Sequence, residues 1–224
     1  MTAHSSQSEA VGEGLSVQTR ERILDAAERL FAEKGLEGVS TREITTAAEA
    51  NVGAINYYFG GKQGLVLAVF HRRLTPLNQK RMEALEGVEK AAGEGAPKLE
   101  AILEALIRPL VEDAFDIRPG HAHFARLVGR IIGEVGETVD ELRHTHFLPL
   151  ARRFEVALHR ALPTMSQEEL FWRMISMFGA LHFMMLATHQ PLPEWHQFPS
   201  DAETQIQRMI EFAAAGLRAG QLLS

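Results

Sequence analysis

The histidines are the side chains whose number and spacing first suggest chemistry, because the chain has ten of them and no cysteine. His121 with His123 and His144 with His146 are spaced two residues apart. Side chains at that spacing on an α-helix diverge by about 200°, so neither pair could hold a metal ion without a further segment. Solvated or hydrogen-bonded histidines are the simpler interpretation. We predict no metal site and no cofactor.

The patterns that identify common enzyme sites do not occur in the sequence. There is no nucleophile elbow, no phosphate-binding glycine loop and no pair of Glu-x-x-His segments that would build a di-metal helical bundle. We therefore predict that the chain is not an enzyme.

The sequence lacks several features of secreted and membrane proteins, and this suggests the cellular compartment. A chain without cysteine suits a reducing cytoplasm, although this does not prove the location. The polar stretch Met1 to Gly14 lacks the basic start and apolar core of a signal peptide. No apolar run approaches the roughly 20 residues that cross a bilayer. We predict a cytoplasmic protein with no membrane contact.

Charge is unevenly distributed along the chain. The net charge is −6, yet Arg20 to Lys80 holds nine basic and seven acidic residues, a balance of +2. Within that stretch, residues 40–80 hold five basic and two acidic residues. A mildly basic end on an acidic body is typical of a nucleic-acid-reading domain joined to another domain, although the asymmetry alone does not decide it.

The elements that would position these charges are helices. Apolar residues recur at helical spacing from Thr19 to Lys34, and a capping box predicts a second helix from Ser40 to about Ala48. Asn51 is a good N-cap for a third helix, 52–58, and a fourth begins at Lys62. Two short helices joined by a tight turn, after a longer one, form a tri-helical helix-turn-helix, whose last helix enters the DNA major groove.

The rest of the sequence predicts a helical bundle, which makes the chain all-α with about nine helices. We predict a disordered tail over 1–17, a helix-turn-helix domain over 18–62 and a larger helical domain over 63–224. The predicted later helices span 98–113, 121–132, 138–162, 166–189 and 200–219.

The N-terminal segments resemble, in order and spacing, the DNA-binding domain of the TetR family of transcription repressors. Glu49 stands where that family usually has glycine before the recognition helix. If that position needs a positive φ, the glutamate costs of order 1 kcal/mol. The matching segments are Ile23-Leu24-Asp25-Ala26-Ala27, Leu30-Phe31-Ala32-Glu33-Lys34-Gly35, Ser40-Thr41-Arg42-Glu43-Ile44 and Ala54-Ile55-Asn56-Tyr57-Tyr58-Phe59-Gly60-Gly61-Lys62.

The resemblance implies which residues contact DNA. It assigns Thr41, Arg42 and Lys62 to phosphates, where helix N-termini add free N–H donors. It assigns the outward residues of the third helix to base edges, and Phe59 to the core. The alternatives are a solvated charge for Arg42 and a simple helix cap for Asn51. The implied DNA contacts are Thr41, Arg42, Asn51, Val52, Gly53, Asn56, Tyr57, Tyr58 and Lys62.

The chain also resembles a TetR subgroup in which some members respond to fatty acids or related acyl compounds. The matching segments are Asn56-Tyr57-Tyr58-Phe59, His71-Arg72-Arg73-Leu74-Thr75-Pro76-Leu77-Asn78 and Phe124-Ala125-Arg126-Leu127-Val128-Gly129-Arg130. In this family the C-terminal helices enclose a ligand, and the last two helices pair with a second copy. Ordinary core packing is the alternative for both sets of residues. The implied pocket lining is Leu106, Leu110, Phe124, Leu127, Val128, Phe147, Leu150, Phe154, Trp172, Ile175 and Phe178. The implied dimer stripe is Ile206, Met209, Ile210, Ala213 and Leu217.

The function implied by the resemblance is that of a ligand-responsive repressor. As a homodimer, it would leave a palindromic DNA operator on binding a small apolar or acyl-type effector. One alternative is a DNA-binding helical protein that is controlled by a protein partner and takes no small ligand. Another is a helical enzyme that has kept a helix-turn-helix.

Overall fold

The regular structure in the described part of the chain is entirely helical, which confirms the predicted fold class. The computed structural model describes residues 3–116, 123–124, 127–128, 136–187 and 201–219, with the side chains of all but 3–15 and 185–187. Most of the helix predicted over 121–132 lies outside these residues. The helices are α1 (Ala3–Lys34), α2 (Thr41–Ala47), α3 (Ala54–Phe59), α4 (Lys62–Ala92), α5 (Leu99–Phe115), α6 (Glu137–Leu142), α7 (Leu148–Ala161), α8 (Gln167–Ala187) and α9 (Ala202–Arg218).

The chain divides into two compact units, Met1–Arg72 and Arg73–Ser224. The division falls inside α4, later than the predicted boundary at residue 62. The beginning of α4 belongs to the first unit because Leu65, Val69 and Phe70 are buried there with the apolar residues of α1.

Helix α1 begins at Ala3, well before the predicted start at Thr19. The structure therefore differs from the prediction of a disordered tail over 1–17. Glycines and serines in that stretch have low helix propensity, and for that reason the sequence suggested a tail. Extending an existing helix requires no new nucleus, so a weak segment can continue a stable one.

The second unit is built around α5. Its buried face carries Ile102, Leu103 and Leu106 into a core shared with α7, α8 and α9. Helix α9 packs along α5, and Arg108 of α5 pairs with Glu203 of α9 through contacts of 2.6 and 3.1 Å. Among the described residues, no helix has both the length and the hydropathy that crossing a bilayer requires.

Prolines mark irregular points in the long helices without ending them. Helix α5 continues through Pro109, and α4 continues through Pro76. The helical run from Glu137 to Ala161 changes register at Arg143–Phe147, a π-helical segment just before Pro149. Proline lacks the N–H that would bond to the carbonyl four residues earlier, which explains the irregularity at this point.

Candidate nucleic-acid interface

Helix α2 starts with the predicted cap. The amide of Glu43 donates to Oγ of Ser40 at 3.2 Å. The Glu43 side chain does not complete the predicted capping box, because it pairs instead with Lys34 at the end of α1. The hydrogen bond from Lys34 lowers the pKa of Glu43. The ion pair joins the two helices beside Arg42, whose side chain is left exposed.

The turn between α2 and α3 contains Glu49 at φ 49°. This is the left-handed conformation for which glycine is suited, so the strain expected from sequence is present. Asn51 follows, and its Oδ1 accepts the amide of Gly53 at 2.8 Å. Helix α3 begins at Ala54 rather than at the predicted Val52, and its N-cap is Gly53, so the prediction that Asn51 is the N-cap is wrong.

Helix α3 buries Ile55 and presents its other side to solvent. Tyr57 is 81% exposed and Val52, in the preceding turn, is 60% exposed. The ring of Tyr58 is half-buried and meets that of Tyr57 edge to face, with centroids 4.9 Å apart. A short helix with one apolar anchor and an open outer face has the form that groove binding requires.

Glycines fix how α3 ends and α4 begins. Gly60 closes α3 in the left-handed conformation at φ 72°. Gly64, in the first turn of α4, lies so close to α3 that an added Cβ would overlap the carbonyl oxygen of Phe59. The first turn of α4 therefore sits directly against the end of α3, and its first residue is Lys62.

The prediction that Phe59 is a core residue is wrong. Its ring is half-buried, and the guanidinium of Arg20 lies over it, 5.4 Å from the ring centroid. A cation above an aromatic face is attracted by the ring's quadrupole, so this contact links α1 to the end of α3.

The nine residues predicted to contact DNA are all exposed or half-buried, and none lies in the core. They belong to α2, α3, the turn before α3 and the start of α4. Arg42 and Lys62 form no ion pair with any residue in the described part of the chain. Both cations remain available to an external anion, although the DNA contacts themselves stay a prediction.

Sequence reasoning missed the role of Arg72. From α4, its guanidinium bonds to three carboxylates of α1: Glu21 at 3.2 Å, Asp25 at 2.7 Å and the almost fully buried Glu28 at 2.7 Å. The helical spacing of 21, 25 and 28 places three acids on one face of α1, which was the available signal.

Two family models match this chain. One, described as bacterial regulatory proteins of the tetR family, matches residues 23–69, and the other, described as a tetracyclin repressor-like C-terminal domain, matches residues 104–216. Together they cover both units. The chain belongs to the TetR family. This is a family of DNA-binding transcriptional regulators, which confirms that the chain is not an enzyme.

Among curated relatives of this TetR-family protein, a probable regulator YttP of Bacillus subtilis is 29% identical over 136 residues, 60% of each chain. The regulator AcrR of Shigella flexneri is 32% identical over 125 residues, 56% of this chain and 53% of its own. The matches thus span less than two thirds of these relatives.

Solved structures agree with the fold. The fatty acid degradation regulator FadR of Bacillus halodurans has a TM-score of 0.65 at 17% identity, covering 88% of this chain and 99% of its own. A complex of SmeT with triclosan has a TM-score of 0.61 at 20% identity, covering 88% and 90%. At these identities the likeness concerns the fold alone.

The residues predicted to line a ligand pocket in this TetR-family protein fall into two groups. Most are buried or half-buried, and Leu106, Leu150 and Phe154 share one apolar cluster. Trp172 and Ile175 are exposed on the outer side of α8, Trp172 by 60%, so their assignment to an interior pocket is wrong. Helix α8 is apolar on both sides, and periodicity could not distinguish its inner face from its outer one.

The residues predicted to form a dimer stripe are buried inside their own chain. Ile206, Met209, Ile210, Ala213 and Leu217 lie in the core shared with α5, so the intrachain alternative is the one observed. The apolar surface left open is different. We call it the outer α8–α9 face, and it consists of Phe171, Trp172, Ile175, Phe183 and Phe212.

A second arginine escaped the sequence analysis. Arg81 lies on the buried face of α4, in register with Leu74, Leu77 and Leu85, and is only 7% exposed. Its Nε donates to the carbonyl of Leu106 at 2.9 Å and its Nη1 to Oδ1 of Asn78 at 3.3 Å. The signal was an arginine at a core position of an otherwise leucine stripe.

Burial governs the acidity of Arg81. Desolvation lowers its pKa to about 10, and the charge of Asp113 only partly offsets that effect. The guanidinium is therefore still a cation at neutral pH.

No histidine or carboxylate cluster in the described residues is arranged to hold a metal ion.

Proposed function

We propose that this TetR-family protein is a cytoplasmic repressor that binds a palindromic operator as a homodimer and is released by a small, largely apolar ligand. The observation that carries the proposal is the exposed outer side of α3, with Tyr57 at its centre. Arg42 and Lys62 stand at the starts of α2 and α4, where free backbone amides add to their charge.

The outer α8–α9 face supports the proposal of a homodimer. Soluble monomers rarely expose large contiguous apolar patches, and this one includes three aromatic residues on α8 alone. Gly179 of α8 and Gly216 of α9 have nothing within 4 Å of an added Cβ, so a partner helix could approach closely there. A second copy is the occupant that supplies a matching apolar face.

The ligand is inferred from the second unit. Its core contains Leu106, Leu150 and Phe154 of the predicted pocket lining, which are apolar side chains of α5 and α7. FadR is described as a fatty acid degradation regulator and SmeT was solved with triclosan, and both share this fold. These likenesses support a largely apolar effector.

The first test measures DNA binding to the region upstream of the chain's own gene at several salt concentrations. We expect specific binding, and Lys62→Ala should reduce the slope of log affinity against log salt by about 1, because one phosphate contact is lost. Lys80→Ala is the matched control, since Lys80 is an exposed lysine further along the same helix. Equal slopes for both variants would contradict the assignment of Lys62.

The dimer is tested by mass in solution. Phe183, 69% exposed on α8, is replaced by Glu, and the control is Val156→Glu, which alters an exposed apolar residue of α7 outside the proposed interface. Analytical ultracentrifugation should give a dimer for the wild type and Val156→Glu, and a monomer for Phe183→Glu. A dimeric Phe183→Glu protein would show that another surface mediates association.

A further inference from the structure

Arg81 places a full positive charge where the fold otherwise places leucine. It is 7% exposed, and its two hydrogen-bond acceptors, the Leu106 carbonyl and the Asn78 amide, are both neutral. No carboxylate in the described part of the chain forms an ion pair with it. Buried charges are normally neutralised by a partner, because an uncompensated ion in a low-dielectric interior is unfavourable.

The side chain is also held in position. Asn78, which accepts from Nη1 of Arg81, donates through Nδ2 to the carbonyl of His146 at 3.0 Å. The carbonyl of Leu106 lies beside that of Ala105, which lost its usual N–H donor because Pro109 has none. The guanidinium is thus held by the Leu106 carbonyl of α5 and by Asn78 of α4, and Asn78 is itself bonded to the π-helical segment.

The two hydrogen bonds of Arg81 do not use all of its N–H donors. A guanidinium has five N–H groups in a planar fork, and the two hydrogen bonds use one on Nε and one on Nη1. Neither hydrogen of Nη2 is taken by a residue in the described ranges. A fork with spare donors matches the geometry of a carboxylate, which accepts two parallel N–H bonds.

Support for α5 does not by itself account for an arginine here. A glutamine could donate to the Leu106 carbonyl without bringing a charge into the core. Asp113 acts on Arg81 through its charge, so the surroundings already contain a negative group. A carboxylate adds one negative charge beside the cation, whereas a phosphate monoester would add nearly two.

We propose that Arg81 binds the carboxylate of an effector whose remaining atoms are apolar. The proposal rests on the ligand response proposed above and gives the effector one charged end. Arg81 would contact the acid group, while Asn78 acts as a positioning residue that holds the fork.

The test uses the full chain and pairs of ligands that differ only in charge. Saturated carboxylates from acetate to palmitate are compared with the primary amides of the same length, by isothermal titration calorimetry and by shift of Tm. We expect at least one acid to bind about tenfold or more tightly than its amide, which is the usual effect of one charge-assisted pair. Arg81→Gln should bind both equally, and Arg81→Lys should keep part of the preference.

Arg152→Gln is the control, because Arg152 is an exposed arginine of α7 in the same unit. It should keep the full acid preference. Operator binding without ligand should be unchanged in Arg81→Gln, which separates this proposal from the proposed DNA function. If Arg81→Gln does not fold, the comparison of acids with amides on the wild type tests whether a carboxylate is preferred.

Three results would overturn the proposal: equal binding of every acid and its amide, an acid preference that persists in Arg81→Gln, or binding of neither ligand at any length. A shift of Tm with dodecyl phosphate but with none of the carboxylates would also overturn it, in favour of a phosphate. Loss of operator binding by the wild type would instead contradict the proposed function.

Discussion

Arg72 and Arg81 lie on the same helix and have opposite surroundings. Arg72, in the first unit, bonds to Glu21, Asp25 and Glu28. Burial alone would lower the pKa of Arg72, but the hydrogen bonds that it donates to Glu28 and Asp25 outweigh that effect and raise the pKa. Arg81, in the second unit, bonds only to neutral oxygens, and burial prevails, so its pKa falls to about 10.

The difference indicates what each unit requires of its charge. The guanidinium of Arg72 is compensated within the chain, so it ties α4 to α1 and keeps the helix-turn-helix rigid. Among the described residues, Arg81 donates its hydrogen bonds only to neutral oxygens and forms no ion pair, so an acidic ligand is the partner that we propose for it. Replacing Arg72 should therefore destabilise the fold, whereas replacing Arg81 should weaken binding of the effector.

The largest effect is expected from Arg72→Met. The change removes the hydrogen bond and the charge that Arg72 supplies to the almost fully buried Glu28, and breaking a buried pair costs about 3–5 kcal/mol. Because Arg72 itself remains partly exposed, we expect about 3 kcal/mol. The measurement is the free energy of unfolding by urea, with Arg22→Met as an exposed control on α1. A loss below about 1 kcal/mol would remove the contrast between the two arginines.

Arg81→Met should change the same free energy far less. The substitution removes a buried charge but leaves the Leu106 carbonyl without its donor from Arg81, and these effects oppose each other. We expect a stability within about 1 kcal/mol of the wild type in urea unfolding without ligand. A loss as large as that for Arg72→Met would make Arg81 a structural residue.

The smallest effect is expected at a third arginine, the more exposed Arg108, which is paired with Glu203. The hydrogen bond from Arg108 lowers the pKa of Glu203 from 4.5 to about 2. A carboxyl group whose pKa is lower in the folded state stabilises the fold at pH values above its pKa in the unfolded state. This contribution is lost as the pH falls through the pKa of the folded state. The Tm difference between wild type and Glu203→Gln should therefore be constant above about pH 4.5 and shrink toward pH 2. A difference that does not vary with pH would show that the pair is not electrostatic.

The sequence predicted the features that depend on neighbouring residues. The cap at Ser40 and the helix start at Lys62 are set within a few positions of the chain, and the structure has both. The strained turn at Glu49 was anticipated from the family resemblance, because the family usually has glycine at that position.

Features that depend on distant residues were not predictable. Glu43 pairs with Lys34 rather than with its own helix terminus, and Trp172 lies on the outer side of a helix that is apolar all round. The significance of Arg81 appears only when α5 and the π-helical segment are placed around it. Each case needs the tertiary arrangement, which local patterns do not contain.

Gly64 restricts the sequence variation that the first unit can tolerate. A side chain of any size would meet the carbonyl of Phe59, and a backbone atom cannot move aside as a flexible side chain can. If this codon were randomised and the survivors selected for operator binding, glycine alone should return. At Gly87, further along the same helix, an added Cβ meets nothing within 4 Å, so many residues should be accepted.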